Sequence, residues 1–108
     1  MPESLQIQLK KGVLEMCVLA LLSKGDNYAY DIASRMAEAV GMGEGTIYPL
    51  MRRMQNDDLV TTYLQESASG PPRKYYKLTR AGAAALKAQR LEWDEFRGAV
   101  AKILGEAS

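Results

Sequence analysis

Gly41-Met42-Gly43-Glu44-Gly45-Thr46-Ile47-Tyr48-Pro49-Leu50-Met51-Arg52-Arg53-Met54-Gln55 is the stretch from which the architecture follows. Ile47, Leu50, Met51 and Met54 fall at i, i+3, i+4 and i+7, one face of a short amphipathic helix. Gly41 to Gly45 reads as the turn before it. Pro49 is comfortable only in a first turn, so Thr46 is expected to cap this helix or lie next to the cap. With the apolar set turned inward, Thr46, Tyr48, Pro49, Arg52, Arg53 and Gln55 are left on the opposite or flanking surface.

Upstream, Ala29, Ala33, Met36, Ala37 and Val40 repeat at helical spacing, with Asp31, Arg35 and Glu38 toward solvent. Two helices joined by a tight Gly-containing turn match the helix-turn-helix signature. Farther upstream, Leu14, Cys17, Val18 and Leu21, widened by Val13, Leu19 and Leu22, predict a central core helix over Leu9 to Leu22. Lys24-Gly25-Asp26-Asn27 ends it, Gly25 as the stop and Asp26 or Asn27 as the next N-cap. Downstream, Leu59 to Gln65 and Arg73 to Leu78 are rich in β-branched and aromatic residues, separated by Glu66-Ser67-Ala68-Ser69-Gly70-Pro71-Pro72. They predict a hairpin with a long tip, leaning on the helices because an isolated hairpin is marginal in water. The expected fold class is mainly α (α+β), a winged helix-turn-helix with a two-stranded wing.

Thr79 is placed to cap a last helix running to about Leu104, roughly 26 residues or about 39 Å. That exceeds the width of so small a domain. Leu86, Trp93 and Val100 recur at heptad spacing with Phe96 and Ile103 interleaved, the seam of paired helices, and a self-complementary dimer is the simplest way to bury it. Gln89 and Gly98 interrupt the seam, so short and adaptable packing is expected. The chain divides into a winged-helix unit over 1–78 and a C-terminal dimerisation helix over 79–108.

Composition narrows the function. The chain has 108 residues, 47% of them apolar, enough for one modest core. It contains no histidine and one cysteine, Cys17, inside an apolar run, so Ser/His and Cys/His nucleophile pairs and the common zinc and iron sites are excluded. Gly41, Gly43 and Gly45 follow a helical pattern and lack the spacing of either nucleotide fingerprint. No enzyme and no cofactor are expected. The longest apolar run, Met16 to Leu22, is far short of the roughly 20 residues a membrane span needs, and the first residues carry no export signal, which points to the cytoplasm.

Fourteen Lys and Arg stand against 13 acids, a net charge of only +1, so bulk charge does not argue for nucleic acid and the placement of charges must. On the third helix, Arg52 and Arg53 suit guanine, Gln55 suits adenine, and Thr46 or Tyr48 suits phosphate or a thymine methyl; a solvated helix face would carry similar residues. The hairpin adds Gly70-Pro71-Pro72-Arg73-Lys74, a stiff segment with two adjacent cations suited to a phosphate strand or a minor groove, although a solubilising tip looks alike. Lys10 and Lys11 at the start of the first helix are either a further phosphate contact or ordinary surface lysines.

Three stretches resemble the PadR family of transcriptional regulators, in its short form with a single C-terminal helix. They are Gly25-Asp26-Asn27-Tyr28-Ala29-Tyr30-Asp31-Ile32, Gly45-Thr46-Ile47-Tyr48-Pro49-Leu50, and Gly70 through Gly82, which begins Gly-Pro-Pro-Arg-Lys-Tyr-Tyr. The resemblance implies a homodimeric repressor of palindromic double-stranded operator DNA, often released by a small hydrophobic or aromatic effector. By position it puts Thr46, Tyr48, Pro49 and Arg52 at the groove and Arg73 and Lys74 on the wing. It also implies that Trp93, with Leu86, Phe96 and Val100, lines an effector cavity between subunits; plain packing explains the same periodicity. Asp58 stands where the family commonly has a glycine ending the recognition helix, and Asp tolerates the left-handed conformation that position needs. The rival class is a winged-helix interaction or ligand-sequestering module without DNA binding, which the near-neutral charge favours.

Overall fold

The computed structural model describes residue 10 and residues 12–106. Their order is α1 (Leu14–Ser23), β1 (Asn27–Tyr28), α2 (Ala29–Val40), α3 (Glu44–Asn56), β2 (Val60–Ser67), β3 (Gly70–Leu78) and α4 (Arg80–Leu104). Apolar faces of the first three helices meet in one core: Val18 and Leu19 of α1, Ile32 and Met36 of α2, and Ile47, Met51 and Met54 of α3. Val60 and Tyr76 of the sheet close one side and Leu86 of α4 another. This is the winged-helix arrangement the sequence implies.

Two helix starts differ from the sequence reading. Helix α1 runs from Leu14, because a turn at Gly12 and Val13 interrupts the expected helix; Lys10 before the turn is helical, and Leu9 and Lys11 lie outside the described residues. Helix α3 begins at Glu44 and not after Thr46, because the amides of Thr46 and Ile47 both donate to the Gly43 carbonyl, at 3.1 and 2.9 Å. The Gly41–Gly45 turn is correspondingly shorter, and Pro49 falls in the second turn of the helix. Pro49 has no amide to give the Gly45 carbonyl, but both residues are exposed, so that carbonyl is not buried without a partner.

The sheet has three antiparallel strands in the order β1-β3-β2, because Asn27 and Tyr28, expected only near a helix cap, pair with Tyr76 and Tyr75. The hairpin tip is also short. Ser67 pairs with Gly70, leaving Ala68 and Ser69 as the turn, and Pro71 and Pro72 lie within β3. They fit there because two residues of β3 oppose the single Glu66 in a bulge between the Gln65–Arg73 and Ser67–Gly70 pairs.

Local chemistry fixes the joints. Helix α2 ends at Gly41 with φ +72°, where any other residue is strained. Asp58, at φ +59°, turns the chain from α3 into β2 in the left-handed conformation the sequence reading assigns to it. Thr79 caps α4: its Oγ1 accepts from the Gly82 amide at 2.9 Å and donates to the Asp58 carbonyl at 2.6 Å. Gly82 is buried against the Leu59 carbonyl, and a methyl there would also come within 2.8 Å of Leu78 Cδ1.

Candidate nucleic-acid interface

Opposite the buried Ile47, Met51 and Met54, helix α3 exposes a line made of Gly45, Pro49, Arg52 and Asn56. Gly45 and Pro49 give this line low relief at the N-terminal end, while Arg52 presents its fork of donors and Asn56 an amide with both donor and acceptor. Asn56 is absent from the sequence-derived set; extending the i+4 spacing from Arg52 would have found it. Tyr48 and Thr46 flank the line, both half-buried. The Tyr48 hydroxyl is held above its ordinary pKa, first by desolvation and then by the charge of Glu44, so it stays a neutral donor. Gln55 is turned to the sheet, its Nε2 donating to Thr62 Oγ1 at 3.4 Å.

Arg53 is not on that line. Its Nη2 donates to Glu15 Oε1 of α1 at 3.1 Å, and the other carboxylate oxygen accepts from Gln89 Nε2 of α4 at 2.6 Å. The carboxylate of Glu15 thus joins three helices, and Arg53, though largely exposed, leans toward α1 and away from the Arg52 line.

On the sheet, alternation separates the two cations expected to act together. Arg73 lies on the outer face, its guanidinium 4.5 Å from the centre of the Tyr28 ring, while Lys74 shares the inner face with buried Tyr76, its Nζ 5.5 Å from that ring. Tyr28, Tyr75 and Tyr63 form a row across the outer face, with centroids 5.6 and 5.8 Å apart. Tyr63 donates to Asp26 Oδ2 at 2.7 Å, and that bond holds its hydroxyl above the ordinary tyrosine value. Lys11 lies outside the described residues. Lys10 places its ammonium beside Gly41 at the C-terminal end of α2.

Helix α4 places Leu86 in the chain's own core, while Trp93, Phe96 and Val100 are 39%, 64% and 38% exposed along one stripe. Between Trp93 and Phe96 and the start of α1 lies an open cavity of about 720 Å³ that also takes in Glu15, Arg53, Gln89 and Glu92. Cys17 is half-buried, and desolvation pushes its thiol up, away from reactivity. Among the described residues no helix is long and apolar enough to cross a membrane.

Residues 18–88 match the model of the PadR-like family of transcriptional regulators. The chain is similar to the crystal structure of a PadR-like transcriptional regulator from Bacillus cereus strain ATCC 14579, at 34% identity and a TM-score of 0.83, covering 93% of this chain and 99% of that one. It is also similar to a PadR-like transcription factor from Bacteroides fragilis, at 43% identity and a TM-score of 0.74, covering 94% and 99%. An uncharacterized protein of Lysinibacillus sphaericus is 28% identical over 91 residues, 81% of this chain and 84% of that one.

Proposed function

The chain belongs to the PadR-like family of transcriptional regulators, not enzymes, and from that premise we propose that it is a homodimeric repressor of operator DNA, released by a small aromatic effector. The observation that carries the DNA reading is the exposed line of Gly45, Pro49, Arg52 and Asn56 on α3, a low, polar surface suited to a major groove. Thr46 and Tyr48 flank it as phosphate contacts, and Arg73 and Lys74 serve on the wing, Arg73 stiffened by the Tyr28 ring. Lys11 is a further phosphate contact.

Residues 1–78 act as the DNA-binding unit and 79–108 as the dimerisation helix. The exposed stripe of Trp93, Phe96, Val100 and Ile103 supports pairing through α4, since a monomer rarely leaves so continuous an apolar surface in water. Pairing gives the two reading helices a spacing of about 34 Å, one turn of DNA. The effector lodges beside Trp93 in the cavity between α1 and α4.

The test is DNA selected by the protein from a random-sequence pool and measured by gel shift at increasing salt. Affinity should fall steeply with salt. Arg52→Glu combined with Arg73→Glu should weaken binding at least about a hundredfold, since each such contact carries roughly 1–3 kcal/mol and each reversal adds repulsion. Unchanged affinity in the double variant, or no selected sequence, would instead support the interaction-module reading that the net charge of +1 favours.

A further inference from the structure

The cavity beside Trp93 is bordered by α1, α3 and α4, so its chemistry bears directly on the reading helix. Among the described residues the cavity wall holds two carboxylates, Glu15 and Glu92, beside the rings of Trp93 and Phe96, and one cation, Arg53, which comes from the reading helix. Glu15 is only 24% exposed at its side chain, and each of its oxygens is already engaged, one by Arg53 at 3.1 Å and one by Gln89 at 2.6 Å. Arg53 itself is 61% exposed, so its hold on Glu15 is replaceable.

We infer that the cavity takes a planar aromatic compound bearing an amidinium or guanidinium head, which stacks on Trp93 and displaces Arg53 from Glu15. The head matches the charge and planar shape of the group it replaces, and the Glu15 Oε1 that accepts one charged hydrogen bond from Arg53 accepts one from an amidinium in the same way, while Oε2 stays with Gln89. Glu92 adds a second negative charge at the mouth, and the ring face supplies a stacking surface. Once released, Arg53 no longer ties α3 to α1 and α4, so ligand and reading-helix position are coupled through one carboxylate. Coupling of this kind is reciprocal: whatever Arg53 costs the ligand, the ligand costs the Arg53 contact.

This inference rests on the reading that the Trp93 side of α4 is the effector site, but its test does not need DNA. Tryptophan fluorescence of the full chain, whose one tryptophan is Trp93, is titrated with 2-naphthamidine and with the neutral isostere 2-naphthamide. The amidine should bind at least about tenfold more tightly, the difference a charged hydrogen-bond partner makes. Glu15→Gln should erase that preference. Arg53→Ala should tighten amidine binding several-fold, because the internal competitor is gone, and leave the amide unchanged. Equal affinities for the two compounds in the unaltered protein, a preference that survives Glu15→Gln, or amidine binding weakened or unmoved by Arg53→Ala would each overturn it. Failure of the operator reading shows separately, as DNA that is not retarded even without ligand.

Discussion

At the scale of the residue, Asp58 shows how much one position decides. Its φ of +59° is the only left-handed conformation among the described non-glycine residues, and it makes the corner between α3 and β2. Aspartate adopts that conformation at a cost that glycine does not bear. Asp58→Gly should therefore raise the unfolding free energy by about 0.5–1 kcal/mol, the larger entropy of an unfolded glycine offsetting part of the relieved strain. Urea denaturation checks this, and a loss of stability would show that the Asp side chain contributes more than its backbone costs. The conformation was legible because few residue types tolerate it. The placements of Thr46 and Arg53 were not. Gly43 caps α3 through its carbonyl alone, which leaves no side-chain signature, and Arg53 is drawn off the outer face by Glu15, thirty-eight residues away in the chain.

At the scale of the element, α2 carries the best-defined electrostatic device. Asp31 in its first turn accepts from Arg35 Nε at 2.7 Å and from Asn27 Nδ2, and these bonds, Arg35 first, hold its carboxyl below the ordinary value. A folded pKa lower than the unfolded one gives stability that is complete above the ordinary carboxylate range, about pH 4, and is lost as pH falls through the folded value. Asp31→Asn should lower stability at neutral pH and show a flatter decline below about pH 4 than the unaltered protein. Parallel declines in the two would remove Asp31 as a source of the acid sensitivity. Helix existence was legible here from the Ala29 to Val40 periodicity, whereas β1 was not. A two-residue strand has no pattern of its own and exists only because β3 offers it partners at Tyr75 and Tyr76. The same holds for Pro71 and Pro72, which read as loop in sequence and become strand because a bulge opposite Glu66 spares the hydrogen bonds they lack.

At the scale of the whole molecule, shape and exposed surface agree. The Cα radius of gyration is 15.8 Å, against about 13 Å for a compact chain of this length, and the long axis is 54 Å. Helix α4 supplies the excess, extending past the core with Phe96, Ile103 and Leu104 open to solvent. On the proposed dimer, Phe96→Glu puts a charge in the middle of the seam and should shift the sedimenting species from twice the chain mass to the chain mass at micromolar concentration. A single-chain mass for the unaltered protein would remove the dimer. The amino-acid sequence by itself determined the helices, the hairpin and the winged-helix order, because 3.6-residue and two-residue periodicities report directly which side of each element leaves water. Only the tertiary structure decided where the charged side chains go. Arg73 stacks on Tyr28, Lys74 turns to Tyr76, and Arg53 bridges to Glu15. Long flexible cations choose partners by distance in space, and that distance is set by packing and not by spacing along the chain.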